Sequence, residues 1–377
     1  MTAAKDEGKE LQEQLERFSA EQAQADAERA AGRSVLEAKA RAEATQVELR
    51  EAKRQLKSAV DDRDAMAREL SLYMKDYTAT PDWLKSPKST DKTQRATLLG
   101  MLSDTHYGEV VDASQMDGYN AYNPDIAVVR SQRFFERTIR VARHYLTGVE
   151  YDGYVLVLGG DLVSGSIHDE LLQTNELTIY ESIEFALAQL IKGVEMLADE
   201  FTNLLVVSVP GNHGRTTRKP QAKNYSADNA DSHIARLLAS HFAGTSIEFN
   251  VPDSTDADFS IYDWKFSAEH GHDFKQAGSP EIGSIGPIMR GTLRKGARKL
   301  GEGKPIDYNL LGHFHQFIDG AAKGFMSNGS VKGYDEYARS GNFKPERPQQ
   351  LLASITPEFG VTTVAPVFVA DRGEEGW

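Results

Sequence analysis

Four apolar runs constrain this chain most: Thr97–Leu102, Tyr154–Leu158, Leu204–Val209 and Ile306–Leu311. Each is short and bounded by turn residues, so each predicts a buried strand. Between them lie helical patterns at about Ile126–Tyr145, Glu176–Ala198 and Ser232–His241. Shorter segments at Thr245–Asn250, Phe259–Phe266 and Val361–Val369 predict further strands, some antiparallel. Alternation of this kind predicts an α/β or α+β domain layered on sheets. Of the 377 residues 40% are hydrophobic, enough for a sizeable core.

The first 75 residues follow another rule. From Gly8 to Lys75 there is no proline, and Gly8 and Gly32 are the only glycines. Ala, Glu, Gln, Arg, Lys and Leu dominate, all good helix formers. A 3-4 spacing runs through Leu49, Ala52, Leu56, Ala59, Met66, Leu70 and Tyr73, broken by Arg63. Leu11, Leu15, Phe18 and Ala25 occupy a register that slips near Gly32–Leu36. Such a helix would be roughly 100 Å long. An apolar seam this narrow has nothing on its own chain to cover it, so the segment reads as a coiled coil and implies a homo-oligomer. A solvated single helix is the other reading. The organisation expected is therefore residues 1–75 helical, a linker at 76–95 rich in Pro, Ser, Thr and Lys, and a catalytic-type domain at 96–377. Trp83 in the linker is expected to dock on a neighbouring surface.

Composition excludes several classes. No cysteine is present, which rules out disulfides, thiolate zinc sites and cysteine nucleophiles. Met1–Glu10 lacks an apolar h-region, and no apolar run reaches membrane-spanning length. A cytoplasmic setting is expected, with no membrane partner. Net charge is −13. Residues 1–75 hold 14 Lys and Arg against 16 Asp and Glu, so −11 falls on the remainder. So acidic a body does not coat nucleic acid by bulk electrostatics. An anionic substrate needs metal ions or local basic patches.

The apolar runs end in metal-ligand chemistry. LLGMLSDTHYGE carries Asp104 and His106; VLVLGGDLVSG carries Asp161; VVSVPGNHGR carries Asn212 and His213; YNLLGHFHQF carries His313 and His315. A shorter segment, WKFSAEHGHDF, adds His270 and His272. Residues i and i+2 at a strand end face one side, so Asp104/His106 and His313/His315 each offer two ligands to one point. Singly, these motifs have plain readings: GNH is a common Asx turn, and a buried histidine pair is often structural. Together, in order, they form a mixed carboxylate, imidazole and amide set. That set suits Mn, Fe, Zn or Co better than Mg or Ca. Seven ligands suit two ions rather than one.

The series D-x-H, G-D, G-N-H, H-G-H and G-H-x-H, over about Ala96 to Phe317, resembles the calcineurin-like metallophosphoesterase superfamily. The long N-terminal helix with G-N-H-G-R is similar to bacteriophage-encoded members. The resemblance implies a β-sandwich flanked by helices, with two divalent ions at one edge, Mn²⁺ first, then Fe, Zn, Co or Ni. It assigns Asp104, His106 and His315 to the first ion, Asn212, His270 and His313 to the second, and Asp161 as the bridge. His270 is preferred over His272. It implies phosphate-ester hydrolysis by a metal-bridging hydroxide, with His213 donating a proton or hydrogen bond to the leaving group.

Two basic stretches bear on substrate. Arg215 and Arg218, with Lys219, follow the G-N-H turn, where guanidinium forks suit phosphate oxygens. Arg290, Arg294 and Arg298 recur every four residues, either as a solvated helix face or as a phosphate-tracking edge. Phosphodiesters, nucleotide or nucleic acid, are favoured on this ground. The alternatives are a DNA exonuclease of the same superfamily, or an interaction protein using the coiled coil on a phosphoesterase scaffold. One departure stands out: Gly214 occupies the place after G-N-H where many relatives carry an acid.

Overall fold

The computed structural model describes residues 81–84, 94–274 and 285–371, plus isolated helical positions between Ser19 and Lys57. The chain divides into two units, Met1–Lys75 and Asp76–Trp377. In the first, the described positions are α-helical and solvent-exposed. The seam at Ala52, Leu56, Ala59, Arg63, Met66, Leu70 and Tyr73 lies outside the described residues, as does most of the 76–95 linker. Among the described residues no helix is long and apolar enough to cross a membrane.

The second unit is a mixed α/β fold of two sheets flanked by helices. The strands are β1 (Arg95–Leu102), β2 (Glu150–Leu158), β3 (Leu204–Ser208), β4 (Glu248–Asn250), β5 (Asp256–Ile261), β6 (Trp264–Glu269), β7 (Tyr308–Leu311), β8 (Ile318–Gly320), β9 (Phe325–Ser327), β10 (Gln349–Thr356) and β11 (Gly360–Phe368). One sheet runs β11-β10-β1-β2-β3-β4 and the other β5-β6-β7-β9-β8. The four longer helices are α1 (Pro124–His144), α2 (Ile179–Glu200), α3 (Ala230–His241) and α4 (Ile285–Gly301).

Alternation along the strands builds both layers. Leu98, Leu102, Tyr154, Leu156, Leu158, Leu204 and Val206 face one way and pack with Phe134, Leu190, Val194, Ile234 and Leu238 of α1–α3. Leu99, Met101, Val155, Val157, Leu205 and Val207 face the other way, onto Phe259, Phe266, Ala268, Leu310 and Met326 of the second sheet. A strand with both faces buried has no polar side to alternate, so β1–β3 read as unbroken apolar runs. Parallel pairing of β1 with β2, β2 with β3 and β3 with β4 brings the carboxyl ends of these strands to one edge.

Several expectations shift. Phe259–Phe266 is not one strand but the hairpin of β5 and β6, turning at Tyr262 with φ 56°. Strand β10 was not foreseen: QQLLASIT opens with two glutamines, yet it pairs antiparallel with β1 in the middle of its sheet. Trp83 docks as expected, and Leu84 docks with it. Leu84 is fully buried in the intersheet core with Trp83 against it, and Leu84 O accepts from Tyr262 N.

Helix α4 inverts the usual pattern. Lys295 and Lys299 point inward, while Leu293 and Leu300 are 72% and 68% exposed. The lysines are held by Asp256, Asp258 and Glu269 at 2.6–3.1 Å. Arg290, Arg294 and Arg298 are exposed, and Arg298 pairs with Asp256 and Glu302.

Candidate metal centre

Five loops meet at the shared edge of the two sheets, each leaving the carboxyl end of a strand. Asp104 and His106 follow β1, Asp161 follows β2, Asn212 and His213 follow β3, His270 follows β6, and His313 and His315 follow β7. The loops carry on the strand pairing. Asp104 N and His106 N donate to the carbonyls of Gly160 and Asp161 at 3.1 Å, and Gly312 N donates to His270 O at 3.0 Å.

Alternation of an extended strand does not aim the ligands, contrary to the sequence expectation. Asp104, His106, His313 and His315 all lie beyond their strands with φ of 47–68°, and Asp161 has φ 49°. Nine described non-glycine residues have positive φ, and these are five of them. A left-handed non-glycine residue costs of order 1–3 kcal/mol, and such strain gathers at functional sites. The loops also touch. A Cβ on Gly211 would meet Asp161 Oδ1 at 2.1 Å, and one on Gly160 would meet Gly211 N at 2.5 Å.

The ligand atoms form overlapping groups. Asp104, His106 and His315 make one; Asp161, His270 and His313 another; His106, Asp161 and His213 a third. His106 Nε2 lies 3.2 Å from His315 Nε2, and His315 Nε2 lies 3.2 Å from Asp104 Oδ1. His270 donates Nδ1–H to the Gly159 carbonyl at 2.8 Å, which turns its Nε2 lone pair toward Asp161 Oδ2, also at 2.8 Å. Either a proton on Nε2 or a metal cation can stand between these two atoms. The Oδ1 of Asn212 is buried with no hydrogen-bond partner, although buried acceptors are nearly always satisfied. Converging lone pairs and an orphan amide oxygen are what a divalent cation site requires.

The electrostatics agree. Burial would raise Asp161 and Asp104, but the imidazoles hold both below the usual carboxylate range, His270 acting mainly on Asp161 and His315 on Asp104. Burial would lower His270, yet Asp161 and Asp104 raise it to about 10. His313 falls to about 3 through burial and the charge of His270.

His213 sits at the junction. Its backbone N–H donates to Asp161 Oδ1 at 2.7 Å, and its Nδ1 lies 2.8 Å from the Ser164 carbonyl. The rings of His213 and His106 meet edge-on, with centroids 4.6 Å apart. Burial lowers its pKa to about 4, Asp161 opposing. His272 lies outside the groups and stacks on Tyr225 at 5.1 Å.

The two arginines are occupied. Arg215 donates to the carbonyls of Thr217, Asn212 and Arg218 at 2.8–3.1 Å, knitting its own loop. Arg218 pairs with Asp169 at the surface.

Gly214 has a steric cause. A Cβ there would lie 2.5 Å from Asn229 Oδ1 and 3.1 Å from Asp231 N. These belong to the start of α3, where Asn229 is the N-cap. The same turn delivers a carboxylate that sequence reasoning missed. Asp231, fully buried, accepts from Asp161 N, Leu162 N and Gly211 N at 2.8–3.1 Å. Its pKa rises to about 6 through burial and the Asp161 charge. Its only sequence signal is a helix-capping Asn-Ala-Asp. Also missed are Asn328, which donates to Met101 O, Ser103 Oγ and Gln350 Oε1, and Ser330, whose hydroxyl donates to Asp104 O.

No family model and no curated protein matches the chain. Among solved structures, a single mutant of Vps29 from Entamoeba histolytica matches at 14% identity and TM-score 0.29, covering 71% of this chain and 98% of that one. A predicted phosphoesterase from Streptococcus pneumoniae matches at 12% and 0.27, covering 72% and 97%. Phosphopantetheinyl hydrolase from Mycobacterium tuberculosis matches at 11% and 0.26, covering 64% and 91%. At this level of likeness the functional reading rests on the site's own residues.

Proposed function

We propose that the chain is a metal-dependent phosphoesterase of the calcineurin-like superfamily, acting through two divalent cations, Mn²⁺ first. One observation carries the reading: the groups form a chain, in which His106 lies with Asp104 and His315, Asp161 lies with His106, and Asp161 lies again with His270 and His313. Asp161 is the natural bridge, with Asp104, His106 and His315 on one side and Asn212, His270 and His313 on the other. Bound there, two cations would acidify a shared water and polarise a phosphate.

The chain's own groups do the rest. The Gly159 carbonyl orients His270, so that Nε2 is the donor atom. The Asp161 side chain is anchored by the His213 amide and its backbone by Asp231. His213, tethered to Ser164 through Nδ1, presents Nε2 to the leaving group. To act as general acid it needs a second proton there, which burial opposes and the negative charge of a bound phosphate would favour.

Phosphodiesters are the favoured substrates, nucleotide or nucleic acid. Arg218 supports this, since its exposed pair with Asp169 is a weak contact that a phosphate can displace. Arg215 is assigned to shaping the same substrate rim. Residues 1–75 are proposed as a coiled coil joining copies of the chain, 76–95 as the linker and 96–377 as the catalytic domain.

The test is Mn²⁺-dependent hydrolysis of a bis-aryl phosphodiester and an aryl phosphomonoester by wild type and Asp161→Asn. Loss of turnover in the variant, with the diester preferred by wild type, is expected. Equal turnover in both proteins sinks the mechanism.

A further inference from the structure

His106 has a support of its own. Its Nδ1 lies 3.2 Å from Glu109 Oε2, although the ring N–H axis is not aligned as in a regular hydrogen bond. Glu109 is buried, at 7% exposure. Lys332 Nζ reaches its Oε1 at 2.8 Å, and the Ser164 hydroxyl donates to its Oε2 at 3.1 Å. Lys332 reaches on to Asp335 Oδ2 at 2.6 Å. Glu109 and Asp335 share the one ammonium of Lys332, and the buried Arg130 guanidinium on the Lys332 carbonyl completes the charged cluster behind the His106 ring. A carboxylate behind a metal-ligating imidazole fixes its tautomer and orientation.

Ser164 extends the support. Its hydroxyl lies 3.1 Å from both Glu109 Oε2 and Asn175 Oδ1, while its carbonyl takes His213 Nδ1. Ser164 thus touches His213 directly and reaches His106 only through Glu109.

We propose that Glu109 is a positioning residue: it holds His106 as the Nδ1–H tautomer with Nε2 free for a metal, and through Ser164 it sets the ring of His213. The competing role is a purely structural partner for Lys332. The proposal rests on the metal-centre reading but not on phosphoester hydrolysis.

The experiment uses the full chain with ¹⁵N-labelled histidine, free of metal and titrated with Zn²⁺. In wild type, His106 is expected as the Nδ1–H tautomer. Glu109→Ala should disperse that tautomer and weaken Zn²⁺ binding at one site by about 10- to 100-fold. An Nε2–H tautomer in wild type, or wild-type Zn²⁺ affinity in folded Glu109→Ala, overturns the proposal. Should Glu109→Ala not fold, Glu109→Gln decides, since it keeps the shape and removes the charge. Weaker Zn²⁺ binding supports the role, and unchanged affinity overturns it. Neither readout involves substrate. A chain that binds Zn²⁺ but cleaves no phosphate ester would therefore remove the phosphoesterase reading and leave Glu109 in place.

Discussion

Asp161 Oδ2 lies 2.8 Å from His270 Nε2, and the other nitrogen of His270 is committed to the Gly159 carbonyl. Without a metal ion, Asp161 and Asp104 raise His270 to about 10 and a proton on Nε2 supplies the positive charge between the two atoms; a divalent cation would take that proton's place. The pair joins the two sheets, since Asp161 follows β2 and His270 follows β6.

Asp161→Asn keeps the shape and removes the bridging charge. Metal affinity and Mn²⁺-dependent turnover should each fall at least about 100-fold, the upper end for disturbing a metal site's supporting shell. Calorimetric titration and steady-state kinetics check this. A small change would place the bridge elsewhere.

His213→Asn separates a leaving-group acid from a ligand. As an acid, its loss should lower kcat by about 10²- to 10⁴-fold and leave Mn²⁺ affinity near wild type. The loss should shrink for esters with good leaving groups, which need little protonation. Parallel falls in affinity and kcat would instead make His213 a ligand beside His106 and Asp161.

Gly214→Ala should destabilise the domain by about 1–3 kcal/mol, the usual cost of overpacking. The new Cβ meets the Asn229 cap at 2.5 Å. Denaturant unfolding measures it. Gly214→Glu should be at least as destabilising and should not raise activity.

The α4 network predicts a pH dependence. Burial would raise Asp256, but Lys295, Arg298 and Lys299 outweigh it and hold its carboxyl below the usual range. A depressed carboxylate stabilises the fold at pH above its ordinary value of about 3.9, and that contribution fades as pH falls toward the folded-state value. Lys295→Met leaves less to lose, so its unfolding free energy should fall less steeply than wild type on acidification below pH about 4. Identical slopes would show that the network does not couple to Asp256.

Much of the arrangement was legible in residues close together in the chain. A strand buried on both faces must be apolar, so β1, β2 and β3 announce themselves, and β7 less strongly. A ligand cluster needs Asp, His and Asn at loop starts, so Asp104, His106, Asp161, Asn212, His270, His313 and His315 stand out as a set. Gly214 did not explain itself, because its cause is Asn229, fifteen positions on and folded back against it.

What the linear order could not carry was conformation and burial. Left-handed turns at Asp104, His106, Asp161, His313 and His315 bring these side chains together, and no local pattern requires them; contacts between loops hold them. Strand β10 is placed by its partner β1 rather than by its own pattern. Glu109, Lys332 and Asp231 read as ordinary surface charges. They act only because folding takes them out of water, where a charge must be paired or it cannot stay.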